Sequence, residues 1–146
     1  MNIRVTKKFK FEMAHALLGH DGPCANIHGH SYELSVTLKG TPINDATHPK
    51  TGMVIDFTDL KQVVNTHIIH PYDHALVLNI STPTSVYAGL SNQKLILVNY
   101  QPTCENLVIH FAQALIAVLP KHIALHHLLL RETSTSYAEW YAQDNN

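Results

Sequence analysis

Long apolar runs, blocks of like charge and paired cysteines are all scarce in this 146-residue sequence, and each scarcity excludes a class of function. Nowhere do about 18 apolar residues stand together, the length a membrane-crossing helix needs. The opening stretch MNIRVTKKFKFEMAH has no apolar core of the roughly 7–15 residues that an export signal carries. The expectations are no membrane span and a cytoplasmic location. Lys and Arg number 10 against 11 Asp and Glu, a formal net charge of −1, and no basic run exceeds the pair Lys7 and Lys8. Without a basic stripe, sequence-independent nucleic-acid binding lacks its electrostatic driving force. Only two cysteines occur, Cys24 and Cys104, and a chain with 45% hydrophobic residues has core enough without a staple. Both are expected as reduced thiols. GxGxxG, GxxxxGK[ST], GxSxG and CxxC are missing as well.

What the sequence does have is histidine, 12 in all, in a chain whose length suits one domain over 1–146. At alternate positions Ile3, Val5, Lys7, Phe9, Phe11, Met13 and His15 share one face, with Arg4, Thr6, Lys8, Lys10 and Glu12 on the other. Period two over this length predicts a half-buried strand. Residues 28–39 repeat the pattern, with His28, His30, Tyr32, Leu34, Val36 and Leu38 on one face. The intervening ALLGHDGPCANI holds Gly19, Gly22 and Pro23 and predicts a loop, with Cys24 in it, between antiparallel neighbours.

From Asp56 the spacing of Phe57, Leu60, Val63, Val64, His67 and Ile68 changes to that of a helix, which Pro71 is expected to end. A second helix is predicted from about Cys104 to Leu119, with Thr103 as N-cap and Pro120 as stop. HIALHHLLLRET and STSYAEWY predict two further strands, and KLILVNY a small extra one. Segments 41–52 and 79–93 read as surface loops. The order is ββααββ, an α+β class.

Strand parity directs His28 and His30 to the same side, about 6.6–7 Å apart along the backbone. An antiparallel hairpin brings His15 alongside His28, so three imidazoles converge. Three neutral imidazoles with a fourth position open match a catalytic zinc site, because the open position lets the ion bind a water or a substrate hydroxyl. Cys24 would close that position as a ligand, or would stand beside it as a base or nucleophile; its place in the loop favours the second. Asp73 and His74, just after a helix end, read first as turn or cap residues and second as an acid–base pair that could tune a nearby thiol. Glu132 follows a buried apolar strand, where a carboxylate needs a partner: an Arg or Lys, or the two N–H donors of a pterin or guanine edge. Thr103 and Glu105 in PTCEN read first as a cap and an acidic first turn, and second as substrate contacts.

FEMAH, CANIHGHSYELSV, GMVIDFTDLK, DHALVLN, PTCEN and RET together resemble the 6-pyruvoyl-tetrahydropterin synthase family, and within it the bacterial 6-carboxy-5,6,7,8-tetrahydropterin synthases of queuosine biosynthesis. The resemblance implies the tunnelling fold and zinc on His15, His28 and His30. It implies Cys24, Asp73 and His74 as catalytic residues and Glu132 as the anchor of the pterin. It also implies a homo-hexamer built as a dimer of trimers, with active sites between subunits. The reaction implied is conversion of 7,8-dihydroneopterin triphosphate to 6-carboxytetrahydropterin, with release of acetaldehyde and triphosphate. The three residues between Cys24 and the HGH motif select that branch over a pyruvoyl synthase, and a non-catalytic zinc or pterin-binding module is the alternative from another class. The segment 79–100 is longer than in compact bacterial members.

Overall fold

A computed structural model describes residues 1–145. Its centre is a hairpin. Strand β1 (Ile3–His15) pairs antiparallel with β2 (His28–Gly40) along their whole length, from Ile3 opposite Gly40 to His15 opposite His28. The alternation read from the sequence becomes burial: Phe9, Phe11, Met13, Tyr32, Leu34, Val36 and Leu38 are buried, whereas Lys8, Lys10 and Glu12 are exposed.

The hairpin is extended on both sides. On one, β5 (Ala124–Arg131) joins β2 and β6 (Tyr137–Tyr141) joins β5, both antiparallel. On the other, β3 (Ala75–Asn79) joins β1 and β4 (Leu95–Val98) joins β3, both parallel. The sheet order is β4-β3-β1-β2-β5-β6. The antiparallel sheet expected from the sequence is thus its central and one outer part. KLILVNY supplies β4, and β3 is an addition the periodicity did not predict.

The reason lies in where β3 sits. Ala75 and Val77 belong to the main core, while Leu76 and Leu78 form a second cluster with Ala16 on the other face. A strand buried on both faces has no polar–apolar alternation to read. The cover over its second face comes from Tyr87 and Leu90, in the segment expected to be a surface loop, and from Leu95 of β4.

Two helical stretches cover the first face. The earlier one begins at α1 (Phe57–Val64), capped by Asp56, whose carboxylate accepts the Thr58 N–H at 2.7 Å. It then widens into a π-helical stretch, Asn65–Ile69, and finishes in the single turn α2 (His70–Tyr72). The expectation that Pro71 ends the helix is corrected here: the helix passes Pro71 and stops after Tyr72. Proline lacks an N–H and crowds the preceding turn. The wider turn before it, in which the His70 N–H donates to the Asn65 carbonyl, accommodates the ring, and Asp73 N–H closes on Ile69 O at 2.7 Å. The later helix, α3 (Cys104–Val118), is capped by Thr103, whose hydroxyl accepts the Asn106 N–H at 3.2 Å. No helix among the described residues is long and apolar enough to cross a membrane.

Leu60, Val64 and Ile68 from the first stretch and Leu107, Phe111 and Leu115 from α3 complete the core against the hairpin. Phe111 joins the two layers, with its ring 6.1 Å from Phe11 on β1 and 5.0 Å from Tyr72 on α2. Phe111→Ala is expected to cost about 3–5 kcal/mol through lost burial and the cavity left behind. Urea unfolding checks this, and a loss below about 1 kcal/mol would show that the layers close up without that ring.

Candidate metal centre and active-site cavity

The hairpin end next to the β1–β2 loop is where the chemistry collects. His15 is the last residue of β1 and His28 the first of β2, in direct register, and His30 lies two residues on with Tyr32 beyond it. The three imidazoles meet, with ring centroids 4.6 Å apart for His15 and His28, 5.2 Å for His15 and His30, and 5.1 Å for His28 and His30. One nitrogen from each lies within 4.8 Å of the others. The convergence inferred from parity is present in the fold.

The hydrogen bonds behind these rings decide which nitrogen faces inward. His15 Nδ1 lies 2.7 Å from Pro102 O, and His28 Nδ1 lies 2.7 Å from Asn26 O. A carbonyl only accepts, so both Nδ1 atoms carry the proton, and a neutral imidazole has just one. Each Nε2 therefore offers a lone pair, yet the two stand 3.1 Å apart. Facing lone pairs at that distance repel unless a cation lies between them. Protonation of His15 is the wrong remedy, because burial pushes its pKa below the usual imidazole value. His30 Nε2 is also buried and has no hydrogen-bond partner. The donor set fits a metal ion: about 3.3–3.4 Å separates neighbouring nitrogens around a tetrahedral ion bound at about 2.0–2.1 Å. The Nδ1–carbonyl bonds are the outer partners that fix such ligands.

Glu132, just after β5, points its carboxylate at this group, 4.0 Å from His15 Nε2 and 3.9 Å from His30 Nε2. Its hydrogen-bond donor is the Tyr32 hydroxyl at 3.1 Å, rather than an Arg or Lys. Burial, and then the Glu132 charge, raise the Tyr32 pKa well above the usual tyrosine range, so the hydroxyl stays a donor.

A cavity of about 330 Å³ opens here, and its walls include His15, His28, Cys24, Thr103, Glu105 and Glu132. Six of the residues expected to act share one space. Cys24 reaches it from a short 3₁₀ turn, Pro23–Ala25, whose loop is tied down by Leu17 N–H donating to Cys24 O at 2.9 Å. Thr103 and Glu105 combine their capping places on α3 with a place on the wall.

Among the wall residues given no role from the sequence are Cys104 and His20. The Cys104 thiol donates to Leu130 O at 3.2 Å, and burial, with Glu132 next, pushes its pKa up to about 12, so it stays an uncharged thiol. His20 Nδ1 accepts the Gly22 N–H at 2.9 Å, which in the neutral ring leaves the proton on Nε2. A Cβ at position 22 would stand 3.0 Å from this imidazole, so the ring would have to give by a few tenths of an ångström. Strand parity carries no signal for a histidine in a loop.

Asp73 and His74 lie elsewhere. Asp73 accepts the Glu12 N–H at 2.9 Å, and its carboxylate is 3.0 Å from His74 Nδ1. The Glu12 N–H first, then His74 and Lys94, hold the Asp73 carboxyl below the usual carboxylate range. His74 has φ 61°, the left-handed region that a bulky residue rarely adopts, and its N–H donates to Glu12 O at 2.6 Å. Its exposed imidazole lines a different cavity, of about 520 Å³, with Glu12, Gly29 and Ser31. Within one chain, then, the pair and Cys24 do not share a cavity.

Fold and site together define a tunnelling-type α+β domain with a trihistidine centre beside a thiol-bearing cavity. Residues 4–143 match the family model described as 6-pyruvoyl tetrahydropterin synthase. The chain belongs to that enzyme family. It is 35% identical over 144 residues to 6-carboxy-5,6,7,8-tetrahydropterin synthase of Haemophilus influenzae, covering 94% of this chain and 97% of the relative. Against the protein of the same name from Rickettsia typhi the identity is 30%, with 94% and 99% covered. Among solved structures, 6-pyruvoyl tetrahydropterin synthase of Caenorhabditis elegans superposes with TM-score 0.68 at 22% identity, covering 97% of this chain and 96% of that one. A protein of Wolinella succinogenes superposes with TM-score 0.77 at 17% identity, covering 97% and 99%. These two likenesses concern the fold.

His28→Ala is expected to strip bound divalent metal to well under one ion per chain, while Cys24→Ala retains it. Metal analysis of the purified variants checks both, and loss of metal in the cysteine variant would make Cys24 a ligand.

Proposed function

We propose that this protein is a zinc-dependent 6-carboxy-5,6,7,8-tetrahydropterin synthase. It converts 7,8-dihydroneopterin triphosphate to 6-carboxytetrahydropterin, releases acetaldehyde and triphosphate, and serves queuosine biosynthesis in the cytoplasm. The observation that carries the reading is the convergence of His15, His28 and His30, with Glu132 beside them and with Cys24 on the cavity that His15 and His28 line. The relatives named for this reaction, and the three residues between Cys24 and the HGH motif, favour the carboxy product. The pyruvoyl product is the second reading, favoured by 33% identity to a 6-pyruvoyl tetrahydrobiopterin synthase of Poecilia reticulata.

His15, His28 and His30 would hold the zinc, with the His15 and His28 rings fixed from behind by the Pro102 and Asn26 carbonyls. When bound, zinc supplies Lewis-acid polarisation of the side-chain hydroxyls of the substrate. The Glu132 carboxylate accepts two N–H bonds from the pterin edge and sets the ring's register, and Tyr32 O–H holds that carboxylate in place. Thr103 and Glu105 bound the substrate on the α3 side. Cys24, as thiolate, removes the proton from the substrate side chain. His74, oriented by Asp73, exchanges the next proton.

That last role needs a second chain, because His74 opens onto another cavity than Cys24. A homo-hexamer of two stacked trimers, each subunit a single domain, would let a neighbour's Asp73–His74 pair complete the Cys24 cavity.

Incubation with 7,8-dihydroneopterin triphosphate and mass analysis of the products tests the proposal. Acetaldehyde with the carboxypterin supports it, a pyruvoyl product selects the second reading, and pterin binding without triphosphate release leaves a non-catalytic module. Cys24→Ala is expected to lower kcat by about 100-fold or more, the usual scale for losing a positioned proton-transfer group.

A further inference from the structure

We infer that Lys94 is a positioning residue for the Asp73–His74 pair, acting as a clasp from the long segment between β3 and β4 onto the helix end that presents the pair. The inference rests on the role proposed above for Asp73 and His74.

The last carbonyls of a helix have no partner within it and carry the negative end of its dipole. The Lys94 ammonium occupies that end, where Nζ donates to the carbonyl of His70 and, at 2.8 Å, to that of Asp73. The main chain of the same residue holds the other side of the turn, since Leu76 N–H donates to Lys94 O at 2.9 Å. One residue therefore ties down both flanks of 70–76, the stretch containing His74 at φ 61°. A backbone in that region persists only where its surroundings over-determine it. The Asp73 carboxylate itself is taken by Glu12 N–H and His74, so the lysine acts on the backbone and leaves the carboxylate free for its histidine.

Lys94 is placed by packing. Leu90 and Leu95 on either side of it rest, with Tyr87, on the cluster of Ala16, Leu76 and Leu78. Gln93, next to it, donates its N–H to Leu90 O at 2.9 Å. Because the ammonium is exposed, its contribution to global stability is small. Its loss is expected to appear in the geometry of the pair and so in turnover.

The test compares Lys94→Met, Lys94→Arg and His74→Ala, each as the full-length assembled protein, by triphosphate release from 7,8-dihydroneopterin triphosphate. Lys94→Met is expected to lower kcat by about 10- to 100-fold, the scale of a displacement of about 1 Å in a reacting group. KM, metal content and unfolding temperature are expected to stay close to those of the parent. Lys94→Arg, which can donate to both carbonyls, is expected to restore most of kcat. A Lys94→Met protein with parental kcat beside an inactive His74→Ala overturns the inference alone. A raised KM with unchanged kcat also overturns it, by making Lys94 a substrate-binding cation. If Lys94→Met does not fold, Lys94→Gln is measured instead under the same criteria. Parental turnover in His74→Ala removes the role of the pair and the inference with it.

Discussion

Everything at the candidate site depends on the register of one hairpin. His15 opposite His28 is the last of a continuous ladder that starts with Ile3 opposite Gly40, and the same ladder puts Phe9, Phe11, Tyr32 and Leu34 into the core. A one-residue slip would turn every side chain of one strand to the other face, expelling Phe11 and separating the imidazoles in the same movement. Core burial thus enforces the convergence of the imidazoles. The ladder is long and its buried aromatics are large, with Phe11 stacked on Tyr32 at 5.1 Å. Bringing three imidazole lone pairs together is electrostatically unfavourable, and the energy that holds them so comes from apolar surface buried along the rest of the ladder.

Orientation within that register comes from backbone carbonyls outside the hairpin's own ladder. Pro102, immediately before the Thr103 cap of α3, takes the His15 proton, and Asn26, at the end of the Cys24 turn, takes that of His28. Each ligand is therefore linked to another part of the cavity: His15 to the helix start that presents Thr103 and Glu105, His28 to the loop that presents Cys24. Packing of α3 through Leu107 and Phe111 thus bears on the site, because a shift of that helix would carry Pro102 with it and release the His15 tautomer.

The parts legible from the sequence are those with a period. β1, β2 and α3 have one apolar face and one polar face, and their limits agree closely with the pattern; the trihistidine group follows from parity plus antiparallel pairing. What escaped has no period to read. ALVLN is buried on both sides, so β3 has no polar–apolar alternation to mark it as a strand. Pro71 looked like a terminator because sequence spacing cannot reveal a π-helical turn ahead of it. His20 and Cys104 reach the cavity through a loop contact and a helix start, where residue type alone does not distinguish a wall from a surface.

The added strands show why the Asp73–His74 pair is placed as it is. β3 runs parallel to β1, with Met13 paired to Ala75, which forces the chain leaving the helix at Tyr72 to reverse within Asp73 and His74 and enter the sheet at once. So short a reversal puts His74 in the left-handed region, with its ring exposed on a cavity that Glu12 and Ser31 also line. Cys24, His15 and His28 line the cavity beside α3, whereas His74 opens toward Glu12, Gly29, His30 and Ser31. Within one chain, then, the parallel pairing of β3 with β1 keeps His74 on a cavity that Cys24 does not line.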